Sequence, residues 1–534
     1  MLAAPILRCG TWHRHGATLA RGQAYDASGR LLRATDLAAT FDTVADPSGW
    51  SSLTAGLNGM FAVVRHDGTQ TLAAVDRLRS IPLFFCPTLE GIAVADTAAA
   101  LLGKTTSALH VNPVSAEEFR LTGYTTGTHT LFEGLSQVPA GHTLLTDARD
   151  AASTRLTRYY AFRHVDAFVA TEAELVDRLQ MQHERVFRRL LDDVAGRPIV
   201  VPLSGGYDSR LIGVMLRDLG CRDVLCYTYG LQGNWEARIS RELASHLGFR
   251  WTMIDYSAER WHAWRELPEF QRYFRESGNA CASPHFQDWP AVYELHRTSQ
   301  LAPDSVFVPG HSGDFLAGSH IPSWFASRAR VSREGVLKAL FDAHYTLWRW
   351  PTDTDGTLRR ALIERIEAVT GRIADGSADD AADAFEAWDC AERQAKFIVN
   401  SVRVYESFGY EWRLPLFDSE LMDFWARVPL ALRNGRALYY AFAQARQSLP
   451  ISQANTDRAT WVAGALRMVD RMGLKPVAKR LRERLRRARW RHAYERDTIG
   501  WFAVIDRDEF RRRYTGREIG HSFFATRYLD TLTR

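Results

Sequence analysis

The segment 203–209, LSGGYDS, decides how the larger part of the chain is organised. It follows a short β-branched run, residues 197–203 (RPIVVPL), which is typical of a buried strand. Helical and strand patterns then alternate along the chain at 209–219, 223–229, 236–247 and 251–254, with a further apolar strand at 305–308. Alternation at this spacing predicts a doubly wound parallel sheet, so the fold class is α/β.

The same segment has the features of a phosphate-binding loop. Gly205 and Gly206 let the backbone approach a phosphate closely, and the N–H groups that begin the next helix supply positive potential. Asp208 would repel phosphate unless a cation lay between them, so the loop also predicts Mg²⁺. The alternative is an ordinary capped helix start after a tight turn. The lysine of the G-x-x-x-x-G-K-[ST] motif is missing, which disfavours a kinase or a GTPase.

The N-terminal part of the chain has a different pattern. Short apolar runs at 60–64 (MFAVV) and 71–75 (TLAAV) are separated by turn signals such as 66–68 (HDG), which predicts β-strands. We therefore predict two domains, a β-rich one at 1–165 and a larger α/β one at 170–534.

The composition is that of a globular protein with one basic segment. Of 534 residues, 46% are hydrophobic and 24% are charged, which are ordinary proportions. The net charge is +5, but residues 475–496 alone carry +8, so the rest of the chain is slightly acidic and no nucleic-acid partner is predicted. We interpret this segment either as a solvated helix face or as a docking surface for an acidic carrier, a peptide or a membrane.

The cysteines and the apolar stretches predict the cellular compartment. The six cysteines are scattered, without a CxxC pair or zinc spacing. The first residues hold too short an apolar stretch for a signal-peptide core of roughly 7–15 residues, and no apolar run reaches the roughly 18 residues of a membrane-spanning helix. We expect a cytoplasmic protein without a membrane span.

Six segments resemble, in order, those of the asparagine synthetase family. Residues 204–209 match the SGGxDS loop of ATP pyrophosphatases, enzymes that split ATP between its α and β phosphates. Two segments of the C-terminal part resemble this family's second pyrophosphate loop and its GLExRxPFLD segment: 309–314 (PGHSGD) and 409–418 (GYEWRLPLFD). Three more resemble its glutamine-hydrolysing domain: 57–62 (LNGMFA), 76–83 (DRLRSIPL) and 130–142, which contains TLFEG and PAGH.

The resemblance implies a fold and a reaction. The fold would combine an N-terminal-nucleophile-type αββα sandwich with a doubly wound parallel sheet of the ATP-pyrophosphatase type. With ATP and Mg²⁺, the C-terminal part would convert a small-molecule or peptide carboxylate to an acyl-adenylate, and an amine would capture it as an amide. The amine would be ammonia, either free or delivered by a partner, or an amine of the substrate itself. A homodimer or a carrier partner would also fit the family.

The resemblance also implies roles for individual residues. Nucleotide contacts are implied for Leu203, Tyr229 and Gly310, a pyrophosphate cradle for Ser204, Gly205, Gly206 and Ser209, and Mg²⁺ binding for Asp208 and Asp314. Catalytic roles are implied for His311, Arg403 and Arg436.

Two departures from the family concern reacting groups. Leu2 stands where the glutamine-hydrolysing domain has its cysteine, so we expect this activity to be lost and the domain to remain as a structural partner. Cys9 would replace that cysteine only after an unusual cleavage. His311 replaces a glutamate or tyrosine three residues before Asp314. With a reference pKa of about 6.5 it suits a general base, although it also suits a loop cap.

Other departures leave the reaction partners open. Phe315 and Arg210 replace an acidic residue and a serine of the family, and Arg436 lies near the place of its catalytic lysine. The alternatives to a simple amide ligase are closure of a macrolactam or β-lactam ring, amidation of a sugar carboxylate, and a non-catalytic nucleotide-binding scaffold.

Overall fold

The structure is a computed structural model of the whole chain. It describes residues 5–44, 46–89, 91–105, 110–147, 150–446, 490–495, 505–514 and 520–533. Of the basic segment 475–496, only 490–495 fall within the described residues, so the interpretation of that segment stays a prediction.

Within the described residues, the N-terminal part contains two antiparallel sheets and three α-helices. Its strands are β1 (His13–His15), β2 (Thr18–Tyr25), β3 (Leu31–Arg33), β4 (Asn58–His66), β5 (Gln70–Val75), β6 (Phe84–Thr88), β7 (Gly91–Ala95), β8 (Ser136–Gln137), β9 (His142–Asp147) and β10 (Asp150–Arg158). Its helices are α1 (Ala34–Asp42), α2 (Pro47–Ala55) and α3 (Pro113–Thr122). One sheet has the order β1-β2-β4-β5-β9-β10, with β3 beside β2, and the other has the order β7-β6-β8.

These elements form four layers. Because side chains alternate along a strand, Val63 of β4 packs under the helices α1 and α2, and its neighbour Val64 packs between the two sheets. Trp50 of α2 meets Phe41 of α1 edge-on, with ring centroids 4.8 Å apart. On the far side of the smaller sheet, Phe119 of α3 joins the main hydrophobic core. The predicted αββα sandwich is confirmed.

The C-terminal part is built around one parallel sheet. Its strands are β11 (Ile199–Pro202), β12 (Val224–Gly230), β13 (Arg250–Asp255), β14 (Val306–Phe307) and β15 (Glu411–Trp412), in the order β13-β12-β11-β14-β15. The chain moves outward from β11 in one direction and then returns to β14 on the other side of β11, which is the doubly wound topology that the strand–helix alternation predicts. Such a switch point leaves a crevice at the carboxyl ends of the two central strands.

The helices around this sheet make up most of the remaining structure. They are α4 (Glu172–Val194), α5 (Tyr207–Asp218), α6 (Trp235–Leu247), α7 (Ala258–Arg265), α8 (Pro268–Glu276), α9 (Trp289–Arg297), α10 (Gly313–Leu316), α11 (Arg333–His344), α12 (Thr357–Thr370), α13 (Ala378–Asp389), α14 (Arg403–Ser407), α15 (Ser419–Ala426), α16 (Leu430–Arg433), α17 (Ala437–Arg446), α18 (Trp490–Glu495), α19 (Arg507–Arg513) and α20 (Gly520–Thr533). A π-helical segment, Cys390–Ile398, and a 3₁₀ segment, Val399–Val402, connect α13 to α14. In the described part of the chain, no helix has the length and apolar character needed to cross a membrane.

The two parts of the chain are joined by partly buried polar contacts. Asp193 of α4 pairs with Arg413 and accepts a hydrogen bond from Gln23 of β2. Asn58 of β4 donates to the carboxylate of Asp418 at 3.1 Å. The main hydrophobic core also contains residues of both parts. The division into domains at 1–165 and 170–534 stays a prediction.

Candidate active site

Two loops meet at the carboxyl ends of the central strands. The first, 203–209, follows β11, and the second, 309–314, follows β14, which pairs with β11. Their backbones touch at Gly310, where a Cβ atom would lie 2.6 Å from the backbone nitrogen of Ser209. Any larger residue at position 310 would push the loops apart, so a glycine is required there.

Two serines of the first loop fix its conformation by hydrogen bonds within the loop. The hydroxyls of Ser204 and Ser209 lie 3.0 Å apart, and the Ser204 N–H donates to the Ser209 hydroxyl at 3.1 Å. Gly206 precedes α5 without a side-chain cap, so the first turn of this 12-residue helix keeps N–H groups available at the loop. Hydroxyls and N–H groups of this kind suit the oxygens of a phosphate chain.

Two carboxylates face each other across the loops. The Asp314 N–H donates to Oδ2 of Asp208 at 3.2 Å, and the Tyr439 hydroxyl donates to Oδ1 at 2.5 Å. Burial and then the charge of Asp314 raise the pKa of Asp208 to about 7. A cation would relieve this repulsion, and paired carboxylate oxygens are donors that Mg²⁺ accepts. Within the described ranges, no three His, Cys, Asp or Glu side chains form a metal site, so phosphate oxygens and water would have to complete the coordination.

The residues expected at the nucleotide lie beside the first loop. The backbone carbonyl of Leu203 accepts hydrogen bonds from the hydroxyls of Thr228 and Ser240, which fix the end of β11. The side chain of Leu203 is buried, and its N–H donates to the carbonyl of Tyr227 at 2.8 Å, so this residue fixes the start of the first loop. Tyr229 is the last residue but one of β12 and stacks on Tyr256, with ring centroids 4.9 Å apart.

Trp235 is a further aromatic residue at this loop, and the sequence motifs do not include it. It begins α6, its side chain is 49% exposed, and its ring lies 3.0 Å from the place where a Cβ of Gly205 would be. An exposed indole beside this loop offers an aromatic face of the kind on which a planar ring stacks. The only sequence signal was an aromatic residue directly after Asn234, which caps the helix.

His311 lies on the second loop, but its electrostatic state differs from the expectation. Its Nε2 shares a hydrogen bond of 2.7 Å with the hydroxyl of Ser401. Burial lowers the pKa of His311 to about 4, so its imidazole is neutral throughout the physiological range. The reference pKa of about 6.5 therefore does not apply to His311, and its role as a general base stays a prediction.

Arg436 lies near the acid pair. It occupies a left-handed backbone position after Gly435, with φ of 61°, immediately before α17. Its guanidinium lies over the ring of Tyr440 at 4.8 Å. Its positive charge also acts to lower the pKa of Tyr439, whose hydroxyl is bonded to Asp208, although burial raises that pKa overall. Arg436 therefore lies close to the first loop, since Tyr440 packs against Tyr207 of that loop.

Two of the altered family positions do not enter the acid pair. Phe315 is buried and packs against Phe162 and His320, with ring centroids 5.9 and 5.7 Å apart. Arg210 lies over the ring of Tyr207 at 5.5 Å. The exchange of an acidic residue for Phe315 therefore extends the core and leaves the pair Asp208 and Asp314 intact.

The sequence profile of one family, described as asparagine synthase, matches residues 184–450, half of the chain. The chain belongs to the asparagine synthase family. A second profile, the glutamine amidotransferase domain, matches residues 43–160. In this asparagine synthase family member, the second match begins well after Cys9, so it does not include that residue. No curated protein matches the chain closely enough to be a relative.

Solved structures resemble parts of this asparagine synthase family member only distantly. An NH₃-dependent NAD synthetase from Campylobacter jejuni is 14% identical over 28% of this chain and 61% of its own, with a TM-score of 0.20. A predicted tRNA methyltransferase subunit from Methanocaldococcus jannaschii is 18% identical over 32% of this chain and 75% of its own, with a TM-score of 0.15. A glutamine phosphoribosylpyrophosphate amidotransferase from B. subtilis is 10% identical over 56% of this chain and 64% of its own, with a TM-score of 0.19. The match to the first of these spans less than two thirds of that protein.

Arg403 does not lie at the acid pair of this asparagine synthase family member. Its guanidinium pairs with Glu406 at 2.7 Å and donates to the backbone carbonyl of Ser80 at 2.6 Å. The contact with Ser80 crosses the interface between the two parts of the chain, and Glu406 in turn pairs with Arg21 of the N-terminal part at 2.5 Å. Arg403 is thus held by contacts that do not include the acid pair, and its catalytic role stays a prediction.

Cys9 lies at the same interface. It lines a cavity of about 660 Å³ together with Arg403 and Glu406, and its N–H donates to Asp96 at 2.7 Å. Burial, and then the charges of Asp96 and Glu406, raise the pKa of the Cys9 thiol to about 11. A thiol in this state is a poor nucleophile at neutral pH.

Behind the second loop lies a group of hydrogen-bonded residues that the sequence motifs did not indicate. The Ser312 hydroxyl donates to Gln394 at 2.6 Å, and Gln394 donates to Asp389 at 3.0 Å. His320 shares a hydrogen bond of 2.6 Å with the same carboxylate. Asp389 lies at the end of α13 and Gln394 lies in the π-helical segment. The polar residues of 389–396 (DCAERQAK) are a sequence signal that could have shown this group.

Proposed function

We propose that this protein is an ATP-dependent ligase that activates a carboxylate as an acyl-adenylate and joins it to an amine. Membership of the asparagine synthase family supports a ligase that forms carbon–nitrogen bonds. The observation that carries the finer proposal is the meeting of Asp208 and Asp314 beside the serine- and glycine-lined loop, at the switch point of a doubly wound sheet.

The charges at the loops support cleavage between the α and β phosphates. Asp208 and Asp314 would hold Mg²⁺, which when bound neutralises charge on the departing pyrophosphate. Ser204, Ser209 and the N–H groups that begin α5 would bind the phosphate oxygens. Arg436 would stabilise the charge that develops on the phosphate under attack.

His311 is suited to the amine half of the reaction. A neutral imidazole can accept the proton that the amine loses as the carbon–nitrogen bond forms. This role requires that Nε2 carries the ring proton and donates it to Ser401, because Nδ1 is then the free acceptor. Ser401 would therefore select the tautomer.

The pKa of the Cys9 thiol in the N-terminal part bears on the source of the amine. The raised thiol pKa of Cys9 does not support glutamine hydrolysis, so the amine would be free ammonia, ammonia from a partner protein, or an amine of the substrate. Ring closure by a substrate that carries both groups, and amidation of a sugar carboxylate, are reactions of the same site. A cytoplasmic location and a homodimer remain part of this proposal.

Carboxylate-dependent exchange of labelled pyrophosphate into ATP tests the proposal. A panel of amino acids, uronic acids and short peptides should contain at least one carboxylate that supports exchange in the wild-type protein. Asp208→Ala should abolish the exchange. Asp218→Ala, at the far end of the same helix and bonded to Arg217, is the matched control and should leave it unchanged. Exchange that is equal with and without every carboxylate would contradict the proposal.

A further inference from the structure

A second cavity lies between the two parts of the chain, away from the acid pair. Its volume of about 340 Å³ is within the range of roughly 300–1,000 Å³ that small-molecule sites occupy. Strand β10 and residues 160–163 form one wall. The ends of α12 and α13 and the start of the π-helical segment form the other. This space is termed the β10 cavity.

Strand β10 presents one apolar and one basic side chain to this cavity. Leu156 and Arg158 both line it, because residues two positions apart in a strand lie on the same face. Arg155 belongs to the opposite face of the strand and does not line the cavity. The other apolar lining residues include Ala140, Phe162, Ala368, Val369 and Ala391. Such walls suit a ligand that has an apolar body and a charged end.

Three of the four arginines that line the β10 cavity are paired with carboxylates. The pairs are Arg77 with Asp423 at 2.6 Å, Arg163 with Asp383 at 2.6 Å, and Arg365 with Glu118 at 2.5 Å. The fourth, Arg158, donates to the backbone carbonyl of Val369 at 2.5 Å. Among the described residues, no carboxylate pairs with Arg158. Its guanidinium therefore has N–H groups available to a ligand.

The other titratable groups of the lining do not balance Arg158. Glu392 is the one carboxylate among the described lining residues, and its charge is already shared with Lys396 at 2.7 Å. His129 and His142 are neutral, because burial lowers the pKa of both, that of His129 to about 4. The described lining therefore carries one positive charge that has no counter-charge.

The π-helical segment separates the β10 cavity from the second loop. Gln394 bonds to Ser312 of that loop at 2.6 Å and to Asp389 at 3.0 Å. Ala391 and Glu392, which lie between Asp389 and Gln394 in the sequence, line the β10 cavity instead. A ligand in this cavity therefore lies outside the candidate active site.

We infer that the β10 cavity binds an organic monoanion, whose carboxylate bonds to Arg158 and whose apolar body lies against Leu156 and Phe162. A dianion would leave one negative charge without a partner in a partly enclosed space, which is unfavourable. A small inorganic ion would lose water against the apolar walls without a compensating contact. This site is additional to the ligase reaction, so the inference goes beyond the proposed function.

Two fluorinated probes of nearly equal shape test the inference without any turnover. The full-length protein is titrated into 4-fluorobenzoate or into its neutral analogue 4-fluorobenzamide, and fluorine NMR gives the Kd of each. The Kd of the benzoate should be at least about tenfold lower than that of the benzamide, because only the anion forms a charge-assisted hydrogen bond with an arginine. Equal Kd values, or no binding of the benzoate, overturns the inference.

Variants of the lining then locate the probes. Arg158→Gln should raise the Kd of the benzoate about tenfold and leave that of the benzamide unchanged. Arg155→Gln, on the opposite face of the same strand, is the matched control and should change neither. Ala368→Trp, which fills the cavity from an exposed position of α12, should weaken both probes. A benzoate Kd that is unchanged in Arg158→Gln, or that is lost in Asp208→Ala, overturns the inference.

Discussion

The backbone N–H of Asp314 donates a hydrogen bond of 3.2 Å to the carboxylate of Asp208, joining two residues that are 106 positions apart in the sequence. This contact exists because β11 and β14 are neighbours in the sheet and because Gly310 lets their loops touch. It brings two acidic side chains together in a partly buried place, which costs stability in the absence of a ligand.

Replacement of Asp208 by asparagine should stabilise the ligand-free protein. The pKa of this carboxyl is about 7 in the folded state and 3.8 in an unfolded chain. Folding therefore disfavours the ionised form of Asp208. The resulting loss in the free energy of unfolding grows as the pH rises from 3.8 to 7 and then stays constant. Asp208→Asn should raise the free energy of unfolding at pH 8 by up to about 4 kcal/mol, and by less at pH 5. Chemical denaturation at both pH values measures the effect.

The matched control for that stability measurement is Asp218→Asn. It lies on the same helix, and its carboxylate is bonded to the neighbouring Arg217. A loss of stability at pH 8 in Asp208→Asn, or the same gain at both pH values, would contradict the assigned state of Asp208.

Loss of either carboxylate should stop pyrophosphate exchange. Asp208→Ala and Asp314→Ala should each lower the exchange rate by roughly 10²- to 10³-fold, because each removes one half of a shared charge site. The double variant should be little worse than either single variant, since residues that act as a unit are not additive. Circular dichroism checks that the fold is unchanged. Strictly additive losses would show that the two residues act separately.

Replacement of His311 should separate the two half-reactions. His311→Ala should slow amide formation by roughly 10²- to 10⁴-fold and spare pyrophosphate exchange, because only the amine step needs a proton acceptor. Because the pKa of His311 is about 4, the rate of amide formation by the wild-type protein should rise with pH near pH 4. His311 should cause no further rise in this rate near neutrality. Parallel loss of both half-reactions would instead assign His311 to loop structure.

Cys9 should react slowly and should not support glutamine hydrolysis. With a pKa of about 11, its thiolate fraction at pH 8 is roughly 10²-fold smaller than that of a thiol with its ordinary value of 9.0. Alkylation by iodoacetamide, followed by mass spectrometry, should be slower in proportion. Release of glutamate from glutamine should be undetectable. Glutaminase activity that disappears in Cys9→Ala would refute this account of the N-terminal part.

The fold was largely predictable because its signals are local. The β-branched run before Leu203 and the alternation after it depend on neighbouring residues, and four of the five parallel strands follow from such patterns. The fifth, β15, has only two residues, Glu411 and Trp412, and lies inside a segment recognised by resemblance instead of by a strand pattern. Two residues are too few for any periodicity to appear.

Only the part of the candidate site that lies on a single loop, 203–209, was predictable from the sequence. Gly205, Gly206 and Asp208 are close in sequence, so their chemistry can be interpreted together. Tyr439 and Ser401 reach the site from distant helices, and no spacing rule connects them to it. Arg403 shows what a motif position leaves out, because its side chain is bonded to the backbone carbonyl of Ser80 in the N-terminal part, a contact that no sequence spacing indicates. Burial likewise decides the pKa of His311, and burial cannot be obtained from a residue type.

The fate of the α-phosphate of ATP tests the central claim most directly. ATP labelled at the α-phosphorus is incubated with the protein, Mg²⁺ and the carboxylate that supports exchange, and the labelled products are separated. The two loops and the acid pair predict labelled AMP and an equal amount of unlabelled pyrophosphate, formed only when the carboxylate is present. Labelled ADP with release of inorganic phosphate, in an amount that Asp208→Ala abolishes, would contradict the account.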